Sequence, residues 1–415
     1  MTFSIKKVNI NNNKLTFEIK NIDVSILNSI RRIILSEIPN VAFEFEPYNI
    51  DNQKIIIDKN TCPLHNEIIQ QRLSMIPLNF TTDEIIDFET DKYNFVLEKK
   101  NKTDSIIDIT TEHIEIFDDK NKKYNYKFIR KIFPPNKTTK DFILITKLKP
   151  NIINKENGNE ISIKMKATKD IAKNYSGFGY VSQCSYFNII DEKQADIVLE
   201  KKIQDGKLKG LNKEEIIELE QNFETLEKHR IFKKNEYDEP SHFEFTVESE
   251  CRVKPGYLFY KAIDIIDEKL NLLIKNIYDD NIRFEKVENS KNMYNLSIDN
   301  ETHTLGNLIQ SLLFNNFIRE NDKKDINYIG YNCPHPLENI MIIKIQFTND
   351  ITIDECRRIF IGGLGDIKKL LNSLKRDCIK QFQFVIQLFL VSFCLLYGLF
   401  FDIMILNHHT YIYFF

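Results

Sequence analysis

Residues 24–39 read VSILNSIRRIILSEIP, and the spacing of their apolar side chains decides the fold. Val24, Ile26, Leu27, Ile30, Ile33, Ile34 and Ile38 recur every three to four positions, which closes an apolar stripe along one side of a helix. Asp23 or Ser25 stands where an N-cap belongs, and Pro39 ends the helix. Arg31 and Arg32 interrupt the stripe. Adjacent helical residues point about 100° apart, so at least one guanidinium has to leave the core face and meet a carboxylate or another protein. Taken singly, each is an ordinary surface arginine.

Upstream, residues 3–10 and 15–19 read as strands joined through Asn11, Asn12 and Asn13. Downstream, 41–45 and 55–57 are strand-like, and 64–76 returns to helical spacing, carrying Arg72, before Pro77 stops it. From 80 to about 200 the pattern changes to short β-branched runs (93–97, 106–109, 142–146, 161–165) parted by Lys/Asn/Asp-rich turns, which predicts a β-rich insertion. Asn212 with Glu215 three residues on is a capping-box pattern ahead of a charged helix, read as a solvated face. Residues 243–247 alternate as a strand, and Pro255 opens a long helix with Leu258, Ala262, Ile265, Ile266, Leu270, Leu273 and Ile277 on one side. The order strand, helix, strand, helix then recurs at 293–298, 305–317, 341–347 and 353–378. The chain reads as two copies of one architecture, the first interrupted.

The 415 residues, 42% of them hydrophobic, suffice for two to three domains. Lys and Arg number 57 against 60 Asp and Glu, a formal charge of −3, so wholesale binding to nucleic acid or anionic lipid has no electrostatic basis. The seven cysteines are odd in number and scattered without a CxxC pair, and residues 1–12 lack an apolar signal region; both fit a reduced, intracellular setting. The last 35 residues break with the rest. Asp402 is their only charge, and 381–401 is a run of 21 uncharged residues behind Lys375, Arg376 and Lys380, long enough to span a bilayer. A tail-anchored membrane scaffold is therefore the alternative reading, against a lineage-specific extension or translated noncoding sequence.

No catalytic constellation stands out: there is no GxxxxGK[ST], HExxH or GxSxG. Gly362, Gly363 and Gly365 lack phosphate-cradle spacing and mark a break or close-packing point in the last helix. Cys62 with His65 and Cys333 with His335 lie some 270 residues apart without zinc-knuckle spacing, so no metal and no cofactor are expected.

Residues 24–39 resemble the first helix of the alpha-type subunits of cellular RNA polymerases, and residues 65–78 (HNEIIQQRLSMIPL) are similar to that family's second signature. Residues 303–308 (HTLGNL) and 331–338 (YNCPHPLE) resemble the small partner subunit. The chain thus looks like the third and eleventh subunits of RNA polymerase II joined in one polypeptide, an arrangement found among large nucleocytoplasmic DNA viruses. That resemblance implies an α+β fold with two dimerisation-type domains, each a small antiparallel sheet with long helices. The expected division is 1–79 with 241–280 for the first, 80–240 for the β-rich insertion, 281–380 for the second and 381–415 for the apolar tail.

The implied role is a noncatalytic assembly platform, catalysis belonging to the two largest subunits. Partners would be the largest and second-largest subunits and small polymerase subunits, with DNA reached only through the complex and a membrane only if 381–401 is an anchor. Asn28, Arg31, Arg32, Glu67 and Arg72 would lie where the second-largest subunit docks; His303, Thr304, Leu305, Asn307, His335 and Pro336 mark the small-subunit half. The setting would be host cytoplasm or virion if viral, otherwise the nucleus. Two departures from the family matter. No cysteine falls between Cys62 and Cys184, so the zinc loop of the eukaryotic third subunit is not expected, and residues 166–186 match the corresponding contact segment only loosely, with Asn174 and Tyr175 where histidine and alanine are common.

Overall fold

The computed structural model describes residues 3–46, 53–153, 157–288, 290, 292–319 and 325–382. Strands β1 (Ser4–Asn11) and β2 (Lys14–Lys20) form a hairpin whose turn holds Asn12 at φ 51°, a left-handed conformation that asparagine tolerates. Helix α1 (Val24–Ser36) follows, its N-cap Asp23 accepting the Ser25 N–H at 2.8 Å. Next come β3 (Asn40–Phe43), β4 (Ile55–Asn60), α2 (Asn66–Ser74), α3 (Thr82–Ile86), β5 (Asn94–Lys100), β6 (Ile107–Thr110) and β7 (Glu115–Phe117). Then α4 (Tyr126–Ile132), β8 (Leu144–Leu148), β9 (Glu160–Asp170), β10 (Val181–Asn188), α5 (Glu192–Leu208), α6 (Lys213–Asn222), β11 (His242–Ser249) and α7 (Pro255–Tyr278). The remainder is β12 (Arg283–Lys286), β13 (Met293–Asp299), α8 (His303–Phe314), β14 (Ile326–Asn332), β15 (Ile340–Phe347) and α9 (Ile353–Phe382).

Two four-stranded antiparallel sheets carry the repeat, ordered β1-β2-β11-β10 and β12-β13-β15-β14. In both, the chain runs strand, strand, helix, strand, strand, helix, and the spatial order is first, second, fourth, third. The fold is α+β, as the resemblance implied. Helices α1 and α7 of the first copy and α8 and α9 of the second close a four-helix junction: α1 packs on α7 and α8, and α9 packs on α7 and α8. The apolar stripes read from the sequence face this junction, with Ile26, Ile30, Ile33, Leu258, Ile266 and Leu270 all buried.

The strand pairing draws the insertion's edges elsewhere than 80 and 240. Strands β3 and β4 pair with β9 in a five-stranded sheet with β5 and β7, so the excursion begins directly after α1. Strand β10 returns to the first copy's sheet beside β11, and a second excursion, α5 and α6, leaves from β10. Alternation tells which face a strand residue occupies, not which strand it pairs with, so long-range pairing was the missing information. Helix α5 extends into the stretch read as β because its sequence is charged on most sides and buries only Ala195 and Gly206. The capping box at Asn212 and Glu215 is present, with reciprocal bonds of 2.9 and 2.7 Å.

Gln381 and Phe382, the first two residues of the proposed anchor segment, end α9. Phe382 is buried, its ring 5.0 Å from Phe17 and 5.8 Å from Phe259. Residues 383–415 lie outside the described residues, and among the described helices none is long and apolar enough to cross a membrane.

Helix α9 runs unbroken through its glycines, and of the three only Gly363 marks close packing. A Cβ on Gly363 would sit 2.4 Å from Leu313 Cδ2 and 3.0 Å from Phe317 Cε2, whereas Gly362 and Gly365 face open space. Gly363→Leu should therefore lower stability by about 1–3 kcal/mol through overpacking of the α8–α9 contact. Gly362→Ala should raise it by about 0.4–1 kcal/mol by stiffening the unfolded chain. Urea midpoints of the two variants against the parent check both signs.

Candidate subunit interface

Helices α1 and α8 lie antiparallel and are tied at both ends. At the start of α1, the second carboxylate oxygen of Asp23 accepts from Ser311 Oγ at 2.9 Å and Asn315 Nδ2 at 2.8 Å, both at the far end of α8. Further along, Ser29 Oγ donates to the Thr304 carbonyl at 3.1 Å and Arg32 Nε donates to Thr304 Oγ1 at 2.7 Å. One aspartate thus caps its own helix and fastens the other copy. Arg32 and Thr304, assigned from the sequence to separate surfaces, meet in this joint.

Ion pairs surround the joint. Lys269 of α7 bridges Glu37 at the end of α1 (3.0 Å) and Glu301 just before α8 (3.1 Å). Asp264 of α7 is held by Lys375 of α9 and by Lys261 at 2.9 Å. Burial alone would raise the Asp264 carboxyl, but the two lysines outweigh it and hold it below the usual carboxylate range. Glu301 goes the other way: burial, joined by the nearby Glu37 charge, keeps it above that range against the pull of Lys269. Arg319, just past α8, donates through Nη1 and Nη2 to the two carboxylate oxygens of Glu239, both at 2.6 Å, and its guanidinium lies 4.7 Å from the Tyr237 ring and 4.9 Å from that of Phe314. None of these pairings was foreseen. Asp264 and Lys269 are two of several charges on the amphipathic helix α7, and nothing in its local pattern separates them from Lys261, Asp267, Glu268 or Lys275, since their partners lie far away in sequence.

The signature arginines are held differently. Arg31 donates through Nε and Nη2 to Asn28 Oδ1 at 3.2 and 2.9 Å, four-fifths of a turn away on its own helix. Arg72 donates through Nη2 to the Leu144 carbonyl at 2.9 Å. Together with Arg32, each is anchored through a neutral acceptor, and among the described residues none of the three pairs with a carboxylate. Glu67 is exposed in the first turn of α2, where a negative charge favours the helix. The loosely matching segment connects the two signature helices: the Lys173 N–H donates to the Ser36 carbonyl at 2.7 Å, and Tyr175 OH bonds Ser74 Oγ at 2.5 Å.

In the second copy, Leu305 is core, Asn307 is half-buried, and His303 is exposed with its ring 5.8 Å from Tyr331. His335 and Pro336 are exposed between β14 and β15, the His335 Nδ1 accepting the Leu337 N–H at 3.1 Å. The candidate residues therefore fall into a joint (Arg32, Thr304), a helix-surface group (Asn28, Arg31), α2 (Glu67, Arg72) and a separate loop. Burial pushes up the thiols of Cys62 and Cys333, and among the described residues no group of three His, Cys, Asp or Glu could hold a metal.

The family model described as the RNA polymerase Rpb3/Rpb11 dimerisation domain matches residues 16–270, more than half of the chain, and a second model of the same description matches residues 294–377. The chain is 24% identical over 299 residues to DNA-directed RNA polymerases IV and V subunit 3B of Arabidopsis thaliana, a stretch covering 62% of this chain and 86% of that protein. It is 27% identical over 311 residues to DNA-directed RNA polymerases I and III subunit rpac1 of Dictyostelium discoideum (66% and 82%). With the RPAC1 subunit of Saccharomyces cerevisiae polymerases I and III the identity is 24% over 316 residues (65% and 86%).

Because the Asp264 carboxyl is lowered in the folded state, its contribution is complete above the ordinary carboxylate range and is lost as pH falls through the lowered value. Asp264→Asn should cost on the order of 1–3 kcal/mol at neutral pH. The gap to the parent chain should close in acid, as read from urea midpoints at the two pH values.

Proposed function

The chain belongs to the RNA polymerase Rpb3/Rpb11 dimerisation-domain family, and from that premise we propose that it is a noncatalytic assembly subunit of a DNA-dependent RNA polymerase, third-subunit-like and eleventh-subunit-like halves in one polypeptide. Its work is to present a preassembled platform on which the second-largest subunit docks and to which the largest subunit then adds. Nucleotide addition belongs to those partners, and DNA is reached through the assembled enzyme.

The observation that carries this reading is the state of Arg31, Arg32 and Arg72. Each is oriented by one neutral acceptor and keeps most of its five N–H donors for something else. Arginine's planar fork suits a carboxylate, and an arginine oriented in advance loses less freedom on meeting one. Carboxylates of the second-largest subunit would complete these partial arrangements, and such desolvated pairs set partner choice and register.

Joining the halves supports the same role. Four residues, 279–282, separate α7 from β12, which turns the pairing of the copies into an intramolecular event at an effective concentration on the order of millimolar. One-to-one stoichiometry follows.

Tagged full-length chain, expressed in its native source, should recover the second-largest and largest polymerase subunits. Arg31→Glu and Arg72→Glu should each reduce that recovery by about tenfold or more, since breaking a desolvated charge pair costs roughly 2–5 kcal/mol. Their melting temperatures should stay at the parent value, and Lys207→Glu, exposed on α5, should recover partners normally. Full recovery with both arginine variants would exclude this docking face.

A further inference from the structure

Beside Arg72 lies an apolar groove of about 310 Å³, walled by Pro63 and Leu64 ahead of α2, Ile106 at the edge of β6 and Leu144 of β8. Arg72, Lys147 and Lys149 stand around it. Ile106 is 58% exposed and adjoins Pro63, Leu64 and Leu144 in the lining, so the exposed apolar surface is contiguous there. Lys147 has a partner in Asp108 at 2.9 Å, but Lys149 and Arg72 have no carboxylate partner among the described residues, so the rim carries two uncompensated positive charges. The groove is continuous with α2, whose Ile68, Arg72 and Met75 share one exposed face at helical spacing.

We infer that this groove receives a protein segment of the docking subunit that carries a bulky apolar side chain flanked by acidic residues. The inference rests on the docking reading above and adds the chemistry of what docks. The apolar pit takes the side chain, and the two unpaired cations take the flanking carboxylates. Arg72 is set for this: one Nη2 hydrogen is bonded to the Leu144 carbonyl, which holds the guanidinium at the groove and leaves its other four N–H groups for a carboxylate. A nucleic-acid strand fits less well, because the lining has no aromatic ring on which a base could stack.

The test uses the full chain in its complex. A photo-reactive benzoyl-phenylalanine at position 106 should cross-link, on illumination of the purified assembly, to a peptide of the second-largest subunit in which Asp or Glu flanks an apolar residue, identified by mass spectrometry. A cross-link to a basic segment or to nucleic acid, or no cross-link, overturns the inference. Ile106→Asp and Lys149→Glu, both at exposed positions, should each lower recovery of that subunit by about tenfold, with the loss from Lys149→Glu shrinking at high salt. If the parent chain recovers polymerase subunits and both variants recover them equally, the groove fails while the docking reading stands. If the parent chain recovers none, the docking reading itself fails.

Discussion

The crossing of α1 and α8 is the contact on which the rest depends. Each helix has an apolar stripe too broad for its own small sheet to cover, and burying it against the other copy is the way both stripes leave water. Apolar burial alone would let the helices slide. The bonds from Ser311 and Asn315 to Asp23 and from Ser29 and Arg32 to Thr304 fix direction and register, since a shift of one turn would break all four at once. Gly363 then lets α9 close on α8 at Leu313 and Phe317, and α7 fills the remaining side.

Charge divides into two kinds around that crossing. Arg319 and Arg357 satisfy carboxylates of the same chain, Glu239 and Asp280, at 2.6 Å each, and both stack on rings. Both hold the chain's own parts together, although the buried Arg357 Nε has no hydrogen-bond partner among the described residues. Arg31, Arg32 and Arg72 are oriented with equal care but toward neutral oxygens. Arg32 is itself exposed on α1, and its Nε ties the first copy to the second through Thr304.

Much of the platform was legible because helical periodicity and resemblance agree there. The stripes of α1 and α7, the caps at Asp23 and Asn212, and the internal repeat all follow from local spacing. What could not be read depends on distant partners. Strand β10 is indistinguishable by pattern from the insertion strands before it, and only its pairing with β11 returns it to the first sheet. Strand β12 is only four residues long, and β14 buries Ile326, Ile329 and Gly330 without strict alternation, so neither separates from turns by pattern. At the interface, sequence placed Arg32 and Thr304 on different surfaces because the two motifs lie 272 residues apart and spacing says nothing about which helices cross.

The joint between the halves explains why fusion costs the architecture so little. Helix α7 ends at Tyr278 and β12 begins at Arg283, so the connection is a turn, with Asp280 in a left-handed conformation at φ 56°. Arg357 of α9 reaches back to clamp Asp280 and lies 5.3 Å from the Phe284 ring, and Ile282 is buried, so the exposed turn is pinned to the second copy. A long flexible linker would raise the local concentration but leave the pairing angle open. A four-residue turn restricts the angle as well, so the covalent bond and the α1–α8 contacts favour one arrangement. The large excursions leave from the α1–β10 and β10–β11 connections, away from this turn, and the first copy thereby gains a second sheet and a helical hairpin without disturbing the helices that must meet.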